Sequence, residues 1–418
     1  MRLFLLPLKN AYIGWRRSLT LGTFIFIVSI LLVIFNMFIM TVKSNMQNAI
    51  INSLTGDIQL RSAGTEEKDM FSTSGNWGKA SILDNEQVNT IKNTVNRFDK
   101  RIVIYDRIRY NAFFESDKAK DAFMFIGMDP KNDQYKKAFK LEEGRYLEPG
   151  NLNEIVLSKT QAKSLDVKPG DNIKAYSKTI NGDMVSKTLK VVGIGDFELL
   201  SSFSFSVAYV HVESARELAG LRSGEATDVI TYIPDKGKTD EIAGEIASSL
   251  DKVKLDKSKV KLTTWKDMGG FVMGLITLIT MMFYCFIIIL MIIVAILIIN
   301  LIFMIGMERR QEMGTLRAIG FGVFRIVTIF MSEIIFIALS FSILGVLAGA
   351  GITLYFSQNP ILASPPWDFA MGKRFFFNFD YWQIIYVLGI VMVFTFIASY
   401  YPSYKAASLK PVDTLKEE

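Results

Sequence analysis

Residues 268–307 read MGGFVMGLITLITMMFYCFIIILMIIVAILIINLIFMIGM, forty residues without a charged side chain. The run stops in ERRQEMGTLRAIG, residues 308–320, where five side chains are charged. A helix of this length rises about 1.5 Å per residue and reaches about 60 Å, roughly twice the hydrocarbon thickness of a bilayer. We therefore predict one helix that crosses a membrane, continues outside it and ends in a short charged segment on the other side. Such a rod suits a transporter or a sensor better than an enzyme pocket.

Three other stretches are long and apolar enough to span a membrane as helices. They are residues 18–42, residues 326–356, where Glu333 is the one charge, and residues 381–404. The composition agrees with several membrane spans, because 50% of the 418 residues are hydrophobic. The first stretch lacks a small-residue cleavage pattern, so we expect an uncleaved anchor. We place the four membrane helices at residues 19–42, 268–307, 325–356 and 381–402.

Basic residues in the short loops predict the orientation of these helices. Residues 1–20 contain four basic residues and no acidic one, and residues 307–325 contain four arginines, whereas residues 357–380 contain two basic residues. We expect the amphipathic N-terminal segment 1–18, the segment 308–322 and the tail 403–418 in the cytoplasm. The short loop 357–380 is then periplasmic.

Residues 43–267 lie between the first two predicted membrane helices, an insert of 225 residues that is large enough for a hydrophobic core. Short β-branched and aromatic runs mix with helical patterns, which predicts an α+β or α/β domain, and we favour α+β. The Asn181-Gly182 pair between two strand-like runs predicts a hairpin turn. The predicted strands cover residues 101–110, 122–127, 155–157, 173–176, 187–193, 205–210 and 229–233, and the predicted helices cover residues 158–165, 213–219 and 239–250.

The basic charge of the chain belongs to the regions beside the membrane. The formal net charge is +6, but residues 43–267 hold 34 Lys or Arg and 33 Asp or Glu. Topology and anionic lipid explain the basic excess, and no feature favours a nucleic acid. A single cysteine, Cys285, excludes a disulfide within the chain, and a single histidine, His211, leaves no His-based metal cluster and no Ser-His pair. We expect no catalytic, cofactor-binding or metal site.

Glu333 lies about two turns inside the third predicted membrane helix. Ionisable groups at membrane depth usually face protein or water, so Glu333 is a candidate functional residue. A carboxyl that is hydrogen-bonded between helices for packing is an equal alternative. Gly345 and Gly349 form a small-x-x-x-small pair that permits close helix contact, and we expect them to pack within the helix bundle.

The segment 308–322 has the spacing of a short amphipathic helix. Met313, Leu316, Ile319 and Gly320 share one side, and Gly320 is placed to end the helix. Such a helix docks in a partner's groove through apolar anchors and a charged rim. The alternative is an interfacial linker anchored by arginines, and spacing alone does not separate the two.

Several motifs resemble one transporter family. The stretch Glu308–Gly320 is similar to the signature that follows the second span in FtsX-like ABC transporter permeases, and Tyr401–Leu415 resembles the C-terminal ending of that family. In the insert, Gly144–Asn151, Glu154–Leu157 and Val167–Asp171 resemble the MacB-like (macrolide-exporter-like) core domain of lipoprotein-releasing permeases of the LolC/LolE type. The resemblance covers nearly the whole chain.

This resemblance implies a membrane protein with four transmembrane α-helices and a large α+β periplasmic domain inserted between the first and second, as in type VII ABC transporters. It implies a permease that pairs with an identical or paralogous chain and sits on an ATPase dimer at the bacterial inner membrane. ATPase closure would tilt the second helix and move the periplasmic domain, a process called mechanotransmission. The segment 308–322 would be the coupling helix, with Glu308, Arg309, Glu312, Met313, Gly314, Leu316, Arg317 and Gly320 as coupling residues.

ATP chemistry is expected on another chain. The sequence lacks the Gly-x-x-x-x-Gly-Lys-Ser/Thr loop whose backbone cradles ATP phosphates. We therefore expect a non-catalytic permease subunit that binds no cofactor itself, with ATP and Mg on the partner ATPase.

The resemblance leaves the cargo open. We favour extraction of lipoproteins from the inner membrane and delivery to a periplasmic carrier, because acyl chains need an apolar entrance. Ordinary packing or contact with lipid is the favoured explanation for the candidate lining residues, so the cargo assignment does not rest on them. The alternatives are efflux of drugs, peptides or toxins with a periplasmic adaptor, and regulation of a cell-wall hydrolase. The candidate lining residues, chosen for flexible Met side chains and apolar neighbours, are Met37, Met40, Met46, Phe271, Met273, Leu275 and Leu278.

Overall fold

The chain divides into two compact units. The helical unit comprises residues 1–43, 277–362 and 374–418, and the sheet unit comprises residues 44–276 and 363–373. The computed structural model describes residues 15–63, 82–99, 101–196, 207–252, 260–268, 270–308, 311, 315–317, 319–363 and 374–408.

Within the described residues, four helices are long and apolar enough to cross a membrane. Uncharged runs of this length form helices because a helix satisfies every backbone polar group within the segment. In chain order the four membrane helices are Trp15–Ile50, Gly270–Glu308, Val323–Gln358 and Tyr381–Ala407.

The first membrane helix extends eight residues beyond the expected end at residue 42. Val42, Met46 and Ile50 recur every four residues and are all buried, which is the spacing of one helix face. The polar residues between them, Lys43 to Asn45, end the predicted membrane span but not the helix. The helix continues because its buried face continues.

In the helical unit, the third membrane helix packs closely on the first. A Cβ atom at Gly345 would lie 2.5 Å from the Phe26 carbonyl oxygen, and one at Gly349 would lie 3.0 Å from Val33 Cβ. Both glycines therefore allow a backbone approach that a larger residue would prevent. The expected packing role of this glycine pair is confirmed.

Within the described residues, the sheet unit contains ten strands. They are β1 Ile58–Ser62, β2 Val103–Glu115, β3 Lys120–Met128, β4 Lys140–Gly144, β5 Glu154–Ser158, β6 Asn172–Lys178, β7 Met184–Asp196, β8 Val207–His211, β9 Asp228–Tyr232 and β10 Val260–Thr264. Six of them pair in the order β2-β3-β8-β5-β7-β6, and β6 pairs again with β2, so that they close into a ring. β9, β1 and β10 continue the sheet from the N-terminal half of β2, and β4 pairs with β7.

Two hydrophobic cores hold the sheet unit together. Alternate residues of the ring strands point inward and bury a core that includes Phe114, Phe125 and Leu157, as the two-residue period of a strand requires. The second core lies between β1, β9 and the helices Asn85–Asn96 and Thr239–Lys252. Short helices Lys159–Ser164 and Val212–Ala219 contribute to the first core. Mixed strand directions and separate helices make this an α+β arrangement.

The hairpin predicted at Asn181-Gly182 is present. It joins β6 to β7, Gly182 has φ +94°, and the Thr179 amide donates to the Asp183 carbonyl at 2.7 Å. A positive φ is what this type of turn demands and glycine supplies at little cost. The signal was local, so it could be identified from sequence.

Candidate functional site: the coupling segment and two helix junctions

The segment 308–322, which we call the coupling segment after its predicted role, begins where the second membrane helix ends, at Glu308. Leu316 and Arg317 are half-buried, whereas the Ile319 side chain is 77% exposed. Arg309, Glu312, Met313 and Gly314 lie outside the described residues, so their expected coupling role stays a prediction. The described part presents an apolar side chain, Ile319, in the open.

Gly320 reverses the chain after this segment. Its φ is +97°, and its amide donates to the Arg317 carbonyl at 3.0 Å, while the Phe321 amide donates to the Leu316 carbonyl at 3.0 Å. This pair of bonds is the Schellman ending of a helix, in which glycine takes the left-handed position. The third membrane helix starts three residues later, at Val323.

The first membrane helix passes into the sheet unit through a π-helical turn, Ile51–Thr55. The Gly56 amide donates to the Ile51 carbonyl at 2.9 Å, the five-residue spacing of a π turn. Helix ends leave carbonyl groups that need partners from elsewhere. Tyr209 of β8 donates to the Ser53 carbonyl at 3.1 Å, and Arg107 of β2 donates to the Leu54 carbonyl. The ring strands therefore clamp the end of this helix.

Arg107 belongs to a buried ion cluster, which we define as Arg107, Arg109 and Asp228. Arg107 Nε lies 2.7 Å from Asp228 Oδ1, and Arg109 Nε lies 3.0 Å from Asp228 Oδ2. Burial by itself would raise the pKa of the Asp228 carboxyl, but the charges of Arg107 and Arg109 outweigh burial and hold this pKa below its ordinary value. The cluster connects β2 and β9 directly behind the clamped helix end.

The strand that precedes the second membrane helix in the chain is β10. β10 pairs antiparallel with β1, with Thr264 opposite Ile58. The Trp265 amide donates to the Asp57 carbonyl at 3.1 Å, and Trp265 and Met268 are both buried. The segments that lead to the first and second membrane helices are thus hydrogen-bonded to each other within the sheet unit.

Acid should lower the stability of the sheet unit by protonating Asp228. Because its folded pKa lies below the ordinary 3.8, the stabilisation is fully present above about pH 5 and is lost as pH falls through the lower folded value. We expect the protease-resistant fraction of the detergent-solubilised chain to stay constant from about pH 7 to 5 and to fall below about pH 4. The Asp228→Asn variant should have a smaller protease-resistant fraction at neutral pH, and this fraction should fall less steeply as the pH is lowered. Identical profiles for both proteins would contradict this role.

Glu333 is buried in the third membrane helix, with 4% of its surface exposed. It lies on the same buried side as Phe330, Ile334 and Ile337, so its carboxyl faces protein. Burial among protein atoms fits both alternatives for this residue, a functional group and a packing group. The functional role of Glu333 stays a prediction.

The candidate lining residues for cargo are not equivalent. Met37 and Met46 are fully buried, so in this structure they do not line an open entrance. Met40, Met273 and Leu275 are half-buried. Leu278 is 63% exposed, and the side chain of Phe271 lies outside the described residues. Leu278 is therefore the most exposed member of the set among the described side chains.

The helical unit contains a cluster of aromatic residues that was not predicted from the sequence. Phe38 of the first membrane helix lies 5.2 Å from Phe283 of the second and 5.3 Å from Phe375, measured between ring centroids. The Asn378 amide donates to Thr41 Oγ1 at 2.9 Å. The signal was the run RFFFNFD at residues 374–380, and nothing local tells which helices it contacts.

His211 has a structural role. Its Nδ1 accepts a hydrogen bond from the Glu213 amide at 3.2 Å and caps the helix Val212–Ala219. An N-cap side chain satisfies an amide that the helix leaves unpaired. His211 is thus a hydrogen-bonded residue at the end of β8.

Comparison with known families finds a match in the last third of the chain. Residues 284–411 match the family described as FtsX-like permease C-terminal. A curated relative, an uncharacterized ABC transporter permease of Methanocaldococcus jannaschii, is 24% identical over 287 residues, which cover 67% of this chain and 66% of the relative. The match thus spans slightly less than two thirds of the relative's length. The chain is therefore similar in sequence to an ABC transporter permease.

Among solved structures, the extracellular domain of YknZ, a noncanonic ABC-type transporter from Gram-positive bacteria, is similar to part of the chain. The identity is 13%, the TM-score is 0.34, and the match covers 50% of this chain and 99% of that domain.

Proposed function

We propose that this protein is the permease subunit of an FtsX-like ABC transporter that works by mechanotransmission, driven by a separate ATPase subunit. The observation that carries the proposal is the unbroken second membrane helix, Gly270–Glu308. Its 39 residues reach about 58 Å. One end follows the buried Trp265 junction, and the other end opens into the coupling segment. A displacement of the coupling segment along this helix would therefore reach the sheet unit.

The clamp at the first membrane helix supports the same mechanism. A lever transmits force only if its attachment does not yield, and the attachment here consists of buried charge-assisted bonds from Arg107 and Arg109. The β1–β10 pairing ties this attachment to the second junction. The sheet unit would then respond to both membrane helices together.

The ATPase subunit should dock on the coupling segment through Ile319. Replacing this exposed side chain in Ile319→Asp should weaken binding of the ATPase subunit about tenfold or more, the cost of losing an apolar anchor and burying a charge. Leu362→Asp is the matched control, because Leu362 is 75% exposed at the far end of the third membrane helix. Binding is measured by titration of the purified permease in nanodiscs with the ATPase subunit. Equal affinities for the two variants would contradict docking at Ile319.

ATP hydrolysis is the first test of the proposed division of labour. The permease purified alone should show no ATPase activity, and the complex should show it. Activity of the isolated chain would contradict an ATPase supplied by a partner.

The proposed cargo is lipoprotein, extracted from the bacterial inner membrane and passed to a periplasmic carrier, with the sheet unit in the periplasm. Its support is an apolar flank on the second membrane helix, where Leu278, Met281 and Met282 are each more than half exposed. Flexible Met side chains adapt to irregular acyl chains. Depletion of this chain should leave outer-membrane lipoproteins in the inner membrane, measured by membrane fractionation. Normal sorting after depletion would contradict this cargo.

A second permease chain, identical or paralogous, completes the proposed transporter. Four helices are too few to enclose a pathway, and the second membrane helix leaves Ile288, Ile292 and Ile296 about half exposed. An apolar side of this kind faces lipid or another helix. Cross-linking of cysteines placed on this side would detect the second chain.

A further inference from the structure

A solvent-exposed surface lies on the outer side of the strand ring, where β2, β6 and β7 are neighbouring strands. Phe113 of β2 is opposite Tyr176 of β6, and Lys178 of β6 is opposite Met184 of β7. Opposite residues share one face with Cβ atoms about 5 Å apart, and diagonal neighbours are about 7 Å apart. Phe113, Tyr176 and Met184 therefore form one continuous stripe, which we call the β2–β6–β7 face.

The stripe is exposed although its members are large and apolar. Phe113 is 50% exposed and Met184 is 67% exposed. The adjacent Phe114 points the other way and is fully buried in the ring core. Single exposed apolar residues need no explanation, but neighbouring ones mark interaction sites. Aromatic residues and Met are also enriched at the centres of protein interfaces.

Lysines surround this stripe. Lys174, Lys178 and Lys190 are exposed on the same side of β6 and β7. Lys120 also lies on this side, but its Nζ forms an ion pair with Glu115 Oε1 at 2.6 Å. Hydrogen bonds from the Lys120 and Tyr176 side chains lower the pKa of Glu115, so this carboxylate is already engaged. Asp183, in the turn before Met184, lies next to the stripe, and Glu154 of β5, which is opposite Lys190, is paired with Arg145. The rim is therefore basic.

We propose that the β2–β6–β7 face binds an acidic protein. Phe113 and Met184 would anchor it, and Lys174, Lys178 and Lys190 would attract its carboxylates. Charge complementarity of this kind steers association and selects partners. The proposal does not depend on the identity of the transported cargo.

Two other occupants fit the face less well. A second copy would bring the same basic rim against itself, and like charges in contact are costly. A protein usually contacts a lipid surface through apolar residues at loop tips, but Phe113 lies within β2. On the same face, Ser186 and Thr188 of β7, which are opposite Tyr176 and Lys174 of β6, are short and polar. A folded protein with an apolar centre and an acidic surround matches this face.

The first experiment captures the partner in cells. The photo-crosslinking residue benzoylphenylalanine replaces Met184 in the full chain, cells are irradiated, and the cross-linked peptide is sequenced. We expect a peptide rich in Asp and Glu from another protein. A cross-link to a second copy, cross-links to lipid alone, or no cross-linked protein would overturn the proposal.

The second experiment measures binding of the captured protein, purified, to the full chain in nanodiscs. The double variant K174E/K178E should weaken binding about tenfold or more, with a steep dependence on salt. Phe113→Ser should weaken it by a similar factor. The matched control K131E/K163E changes two exposed lysines elsewhere on the sheet unit and should alter the affinity less than twofold. Thermal unfolding of each variant shows that it is folded. Equal losses in control and test variants, or no loss in either, would overturn the proposal.

Discussion

Replacing Asp228 by Asn should lower the free energy of unfolding of the sheet unit by about 3–5 kcal/mol, the cost of breaking a buried ion pair from one side. The variant leaves Arg107 and Arg109 buried without their carboxylate, and Arg107 also holds the Leu54 carbonyl. The loss should therefore release the end of the first membrane helix as well. The measurement is urea-dependent protease resistance of the full chain in detergent, with hydrogen exchange at residues 50–56 as the local readout.

Asp57→Asn is the matched control, because Asp57 is a second buried carboxyl in the same sheet. Burial raises the pKa of Asp57, so its charged form is disfavoured and an amide in its place is expected to be tolerated at neutral pH. The Asn oxygen can still accept from the Ile233 amide, which now donates to Asp57 Oδ2 at 2.8 Å. Similar losses of stability in the two variants would mean that the cluster has no special role.

Replacing Gly345 by Leu should disrupt the contact between the first and third membrane helices. Even the Cβ atom of the new side chain would lie 2.5 Å from the Phe26 carbonyl and 2.8 Å from Ser29 Cβ. Backbone atoms cannot move aside as a flexible side chain does, so we expect a destabilisation near the upper end of overpacking costs, about 3 kcal/mol. The readouts are the monodisperse fraction of the solubilised protein and its thermal unfolding midpoint.

Gly351→Leu is the control for this substitution. Gly351 lies six residues further along the same helix, and nothing lies within 4 Å of its Cβ position. Leu also favours a helix over Gly by about 1 kcal/mol. We therefore expect the Gly351 variant to match or exceed the wild type in stability. A Gly345 variant as stable as the Gly351 variant would contradict close helix packing.

The membrane helices and most strands could be predicted from sequence because their signals are local. Uncharged runs of twenty or more residues have one physical outcome in a membrane. The β-branched run before Gly193 similarly predicts a strand, and the Asn181-Gly182 pair predicts a hairpin turn. The helix Asn85–Asn96 was missed because Asn and Thr fill it, and both are weak helix formers. Its capping box, Asp84 with Gln87, was the signal that could have identified it.

The junctions could not be predicted, because they depend on contacts between distant residues. β1 and β10 pair across about 200 residues. β1 also carries buried polar residues, Gln59 and Arg61, which disguise it as a surface segment. Arg107, Arg109 and Asp228 look like ordinary charged strand residues until the strand order brings them together. The register of β2 and β9, which places Arg107 opposite Asp228, is a property of the fold.

The second membrane helix as a lever is tested most directly by following the sheet unit while ATP is hydrolysed. Lys131, an exposed residue of the sheet unit, is replaced by a spin-labelled cysteine in a Cys285→Ser background. Distances between the labels of two permease chains are then measured by pulsed electron paramagnetic resonance in nanodiscs. We predict that ATP shifts the distance distribution when the ATPase subunit is present and leaves it unchanged when that subunit is absent. An unchanged distribution during active hydrolysis, or a shift with ATP and permease alone, would contradict force transfer along this helix.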